Sequence, residues 1–107
     1  MIRKSARLAS LVGVLFALSA TVASAADCRA DLVASQQSLE RTRAGIQSPG
    51  PSDAQRCAAY RRHHASLVHV REVFSRCDTG AQKTERAAQL TASINDFRAK
   101  MPPGCRP

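Results

Sequence analysis

Residues 57–77 read CAAYRRHHASLVHVREVFSRC. Tyr60, His63, Leu67, Val70, Phe74 and Cys77 recur there in steps of three and four, so at about 100° per residue they form one stripe on a helix. Cysteines stand near both ends of this helix, 20 residues apart. At about 1.5 Å per residue that is about 30 Å, whereas a disulfide needs Cα atoms within about 7 Å. Cys57 and Cys77 therefore cannot pair with each other, and each end must be tied to a different part of the chain.

Outward from this segment the chain breaks at Ser48-Pro49-Gly50-Pro51, at Asp78-Thr79-Gly80 and at Pro102-Pro103-Gly104. Before the first break Cys28, Leu32, Ser35, Leu39, Thr42 and Ile46 repeat the stripe, and after the second Ala87, Leu90, Ile94, Phe97 and Met101 do so. No segment alternates with period two, which argues against strands. Ser52 with Gln55, and Thr79 with Gln82, each read as a hydroxyl N-cap with Gln at the third helical position; Asp27 is the expected cap of the first helix. Pro102 and Pro103 end the third helix, because proline has no amide hydrogen and disfavours helix at the residue before it. Short connections between helices of similar length make neighbours antiparallel. The expected fold is all-α, a small up-down-up three-helix bundle.

In that topology Cys28 and Cys57 start two antiparallel helices and lie a helix length apart, which leaves Cys28–Cys77 and Cys57–Cys105. These bonds set a register. Facing residue numbers on helices one and two add to about 105, which brings Leu39 near Leu67, Leu32 near Phe74 and Thr42 across from His63. On helices two and three they add to about 161, setting Leu67 opposite Ile94, Phe74 opposite Ala87 and Tyr60 opposite Met101. Apolar is then expected to meet apolar in every layer. Each bond closes a loop of about 50 residues, worth on the order of 4 kcal/mol in the chain-entropy model.

Four cysteines in an even count imply an oxidising compartment, and residues 1–26 supply the route. Arg3, Lys4 and Arg7 precede an uncharged apolar run, LASLVGVLFALSA, and the small-residue string TVASAA. This is the three-part pattern of an export signal, with cleavage after Ala25 or Ala26. The second half of the run is Ala, Ser and Thr rather than Leu or Ile, which argues against a retained membrane span. The charged Asp27 before Cys28 argues against a lipid anchor. The folded unit is expected to be one domain, residues 27–107, periplasmic or secreted, without a transmembrane span. At about that size a single core is marginal and staples are expected. At the level of architecture alone the chain resembles the small disulfide-stapled helical proteins of the bacterial periplasm, a resemblance that brings no active site with it.

The whole chain has 107 residues, with 16 Lys and Arg against 8 Asp and Glu. Taking away Arg3, Lys4 and Arg7 leaves thirteen against eight, a net charge of +5. No paired carboxylates, no nucleophile with a base and no phosphate-cradling glycine loop are present, so a non-enzymatic protein is expected. There is no Cys-x-x-Cys, hence neither a zinc knuckle nor a thiol redox pair nor covalent haem attachment, and no cofactor is expected. His63, His64 and His69 do not share the i,i+3 or i,i+4 spacing of a helical metal pair. His63 sits in the stripe, where an unpartnered imidazole would be costly. It is expected to be buried and neutral, bonded to Thr42 and packed on Phe97, with His69 exposed beside Glu72. The alternative use of that position is a metal or small-ligand carrier centred on His63 and Met101.

The basic surface remains. Helix two carries Arg56, Arg61, Arg62, Arg71 and Arg76 against Asp53 and Glu72, and helix one adds Arg29, Arg41 and Arg43. The plainer reading is a solubilising face. The functional reading is a surface of Arg61, Arg62, Arg71 and Arg76 for an anionic envelope component or another envelope protein, with Arg62 and Arg76 within about 40° of each other. Nucleic acid is not an expected partner after export.

Overall fold

The computed structural model describes residues 25–107. The expected signal segment lies, apart from its last two residues, outside the described residues. Three helices follow in order: α1 (Ala25–Gln47), α2 (Asp53–Cys77) and α3 (Lys83–Lys100), with a single 3-10 turn at Pro103–Cys105. They form the up-down-up bundle stapled by Cys28–Cys77 and Cys57–Cys105, whose Cα separations are 5.3 and 5.2 Å. Among the described residues no helix is long and apolar enough to cross a membrane.

The start of α2 is built as its sequence implies. Ser52 Oγ accepts from the Gln55 amide at 3.1 Å while Gln55 Oε1 accepts from the Ser52 amide at 3.0 Å, which satisfies two otherwise orphaned donors. Gly50 enters this cap with φ of 94°, a backbone conformation that favours glycine, and a Cβ there would stand 2.7 Å from Gln55 Oε1 and push that side chain out of its cap position.

The other two starts differ from expectation. α1 already runs at Ala25, so Asp27 lies in its first turn instead of capping it. α3 begins at Lys83, after Gln82, whose side chain makes no cap bond, and Thr79 caps nothing. Asp78 organises that turn. Its carboxylate accepts from the Gly80 amide at 3.0 Å and takes a forked pair from Arg86, Nε at 2.5 Å and Nη2 at 2.6 Å. A charged forked bond is stronger than a hydroxyl cap, and it pulls the first turn of α3 toward the end of α2. The C-terminus of α3 falls at the proline pair as expected, with Met101 as its cap residue.

The packing follows the register. Thr42 meets His63, Ser38 meets Ser66 and Asp31 meets Arg76, all with numbers adding to about 105. His63 meets Phe97, and Leu67 and Ser93 line one cleft, with numbers adding to about 160. The identity of the buried residues is less simple. α2 buries Ala59, His63, Ser66, Leu67, Val70 and Val73, while Tyr60, Phe74 and Cys77 are only half-buried. The reason is that α2 serves two neighbours. The line 59-63-66-70-73-77 faces α1, and Tyr60 and Leu67, about 100° further round, face α3. The apolar stripe read from the sequence is the bisector of these two directions. α1 and α3 make no close backbone approach to each other.

Apolar does not meet apolar in every layer. Ser35 is 1% exposed, and with Ser38, Thr42, Ser66 and His63 it makes the α1/α2 contact a seam of hydroxyls and one imidazole.

Candidate functional site

Two groups of residues carry chemistry: the junction around His63 and the arginines. His63 is 7% exposed. Its Nδ1 lies 2.9 Å from Thr42 Oγ1, and Thr42 Oγ1 donates its single proton to the Leu39 carbonyl at 3.1 Å. The hydroxyl can therefore only accept from the ring, which assigns the proton of neutral His63 to Nδ1 and leaves Nε2 as an acceptor. The ring stands edge-on to Phe97, centroids 4.8 Å apart and planes at 70°, and Tyr60 completes the cluster at 5.8 Å from Phe97. This is the expected pair of partners, found on two different helices.

Nε2 has no partner, and no buried side-chain nitrogen or oxygen among the described residues lacks one, so Nε2 touches solvent. His63 lines a cleft with Leu67, Ser93, Asp96, Phe97 and Lys100. Burial, helped by the charge of Arg43 on α1, holds the His63 pKa below its ordinary value of 6.5. His63 is thus a neutral imidazole with one nitrogen bonded inside and the other reachable from outside. Among the described residues no three His, Cys, Asp or Glu side chains gather where they could hold a metal ion. His69 is exposed, with Nδ1 at 4.0 Å from Glu72.

Of the four arginines read together from the sequence, Arg71 and Arg76 line one groove while Arg61 is drawn to the other end of α2. Arg61 is bound to the C-terminal segment, Nε to the Cys105 carbonyl at 3.1 Å and Nη2 to that of Gly104 at 3.3 Å. Arg76 stands 3.7 Å from Asp31 of α1, which offsets its charge. Arg71 lines the outer α2/α3 groove with Ser75 and Ala87. Arg62 is exposed. Elsewhere Arg56 pairs with Asp53, Arg86 with Asp78, and Arg106 covers the last carbonyls of α3 at Arg98 and Ala99. The Asp78–Arg86 fork holds the Asp78 carboxyl down at about 2 and raises Arg86 further.

What the fold brings together is Arg62 with Arg41. Arg62 lies one turn from Ser66 on α2 and Arg41 one turn from Ser38 on α1, and Ser38 and Ser66 are 3.4 Å apart. Both arginines are exposed, about one turn from this hydroxyl pair and on the same side of it, and neither has an acidic or carbonyl partner among the described residues. The register already contained this pairing, since 41 and 62 add to nearly 105. Charge counting along one helix at a time misses it.

Comparison of the chain with protein-family models, with curated proteins and with solved structures finds no match.

Proposed function

We propose that the protein is a non-enzymatic exported helical protein that works by binding an anionic component of the cell envelope, in the periplasm or outside the cell. One observation carries this reading. Arg29, Arg41, Arg43, Arg62 and Arg71 hold no acidic partner among the described residues, while Asp31, Asp53 and Asp78 are each paired with another arginine, and Arg41 and Arg62 stand exposed at nearly the same level on the adjacent helices α1 and α2. Two exposed guanidinium groups on adjacent helices suit a phosphate or carboxylate ligand, which accepts from both. Two disulfides and the lack of a membrane-capable helix among the described residues agree with export.

The test is sedimentation of the oxidised protein with vesicles of anionic phospholipid, and with neutral vesicles beside them. Binding to the anionic vesicles alone, falling steeply between low and physiological salt, is expected, because exposed charges are screened beyond about 8 Å at physiological ionic strength. Arg41→Ala with Arg62→Ala should weaken it at least fivefold, and Arg61→Ala much less. Equal binding by parent and double variant, or none by either, would reduce the arginines to a solubilising face.

A further inference from the structure

We propose that His63 is a proton-operated latch at the junction of the three helices: uptake of a proton at Nε2, through the Asp96/Lys100 cleft, opens the space between α1 and the middle of α3 while the ends of α3 stay pinned.

The geometry is that of a bistable contact. His63 is the residue that joins all three helices, bonded to Thr42 of α1 and packed on Phe97 of α3. In the neutral ring every buried polar atom is satisfied. A protonated ring carries a second N–H and a full charge into a place where a cation is disfavoured, and it regains water only if the cleft widens. The charged groups around it are Arg43 from α1 and Asp96 and Lys100 from α3. Burial and Arg43 are what act on the ring, and its pKa stays below the ordinary value although Asp96 lines the same cleft.

The fold determines where the opening occurs. α3 is held at its start by the Asp78–Arg86 fork and at its end by Cys57–Cys105 and Arg61. Neither end responds in the range where histidine titrates, because Asp78 keeps its charge down to about pH 2. α1 gives α3 no close backbone support. Residues 90–97, between the two pins, are held by side-chain packing alone, with Ile94 buried and Phe97 against His63, and are therefore the part that opens. The sign follows from the depressed pKa of the closed form. The open form takes up the proton at the ordinary value of 6.5, and the closed form does so only at lower pH. Opening is therefore independent of pH above that value and grows as pH falls below it, until the closed form protonates as well.

The experiment is amide hydrogen exchange of residues 90–97 in the oxidised protein at pH 7.5, 6.5 and 5.5, corrected for intrinsic rates. Exchange should rise less than about twofold from 7.5 to 6.5 and then by up to about fivefold from 6.5 to 5.5. His63→Gln, which keeps a hydrogen-bonding group near Thr42 and cannot titrate, should abolish the rise. His64→Gln and His69→Gln should retain it. If His63→Gln fails to fold, NMR of the parent decides: the Phe97 ring resonances should move with the midpoint of the His63 imidazole, below 6.5. A rise that survives in His63→Gln, or Phe97 signals indifferent to His63 titration, would overturn the latch.

Discussion

The two interfaces of α2 are built on opposite principles. Toward α1 the buried Val70 and Val73 are joined by small and hydroxylated side chains, Ser35, Ser38, Thr42, Ser66 and Ala59, which let the backbones approach, with Ser38 paired to Ser66 and Thr42 to His63 across the seam. Toward α3 they are large, with Tyr60, Leu67 and Phe97 meeting at a longer reach, and α3 adds Ile94 and Met101 to the core. Close packing of small residues is unforgiving of added volume, whereas a contact between large side chains suffers most when volume is removed. The α1/α2 contact is distributed along the helix. The α3 contact is concentrated at the two ends and at His63 in the middle.

This contrast predicts unequal dependence on the staples. Replacing Cys57 and Cys105 by serine should cost about 3–5 kcal/mol and release α3. Replacing Cys28 and Cys77 should cost about 2–3 kcal/mol and leave most of the α1 seam in place. Denaturant unfolding of the two double variants measures both, and a larger loss from the second pair would reverse the assignment of α3 as the end-held helix.

Single substitutions sharpen the same difference. Met101 is 1% exposed, and Met101→Ala should destabilise by about 2–4 kcal/mol through the cavity left behind. Ser35→Leu adds apolar volume to an equally buried site, yet should also destabilise, by about 1–3 kcal/mol, because the α1/α2 spacing cannot accept it. A stabilising Ser35→Leu would mean that the seam is loosely packed.

The smallest expected effect is that of Thr42→Val. It removes the acceptor for His63 Nδ1–H and should cost about 1–2 kcal/mol, the desolvation penalty of one unsatisfied buried donor. Thermal melts at pH 8 isolate this loss, since His63 is neutral there in both the folded and the unfolded chain. An unchanged melting temperature would show that water replaces the threonine hydroxyl.

The local signals were legible where one short-range rule governs the outcome. Helix number, the Ser52–Gln55 cap and the proline stop follow from residue type and spacing. The disulfide pairing follows from distance alone, because a rigid helix holds Cys57 and Cys77 about 30 Å apart. From that pairing came the register and with it Thr42 and Phe97 as neighbours of His63. The start of α3 was not legible, because a hydroxyl cap at Thr79 competes with a charged fork between Asp78 and Arg86, eight residues apart, and only the turn geometry makes the fork available.

By itself, then, the sequence determined three helices, their ends at the strong signals, their order and their covalent frame, since each depends on neighbours within a few turns or on a length no fold can alter. Only the tertiary structure decided the angle at which α1 and α3 meet α2, which converts one apolar stripe into two interfaces and a cleft between them. It also decided which arginines keep an unshared charge, by tying Arg61 to the C-terminal carbonyls and Arg76 to Asp31. The physical reason is common to both. Direction around a helix axis and the sharing of charge depend on which other helix lies beside a residue, and periodicity along one helix carries no information about that.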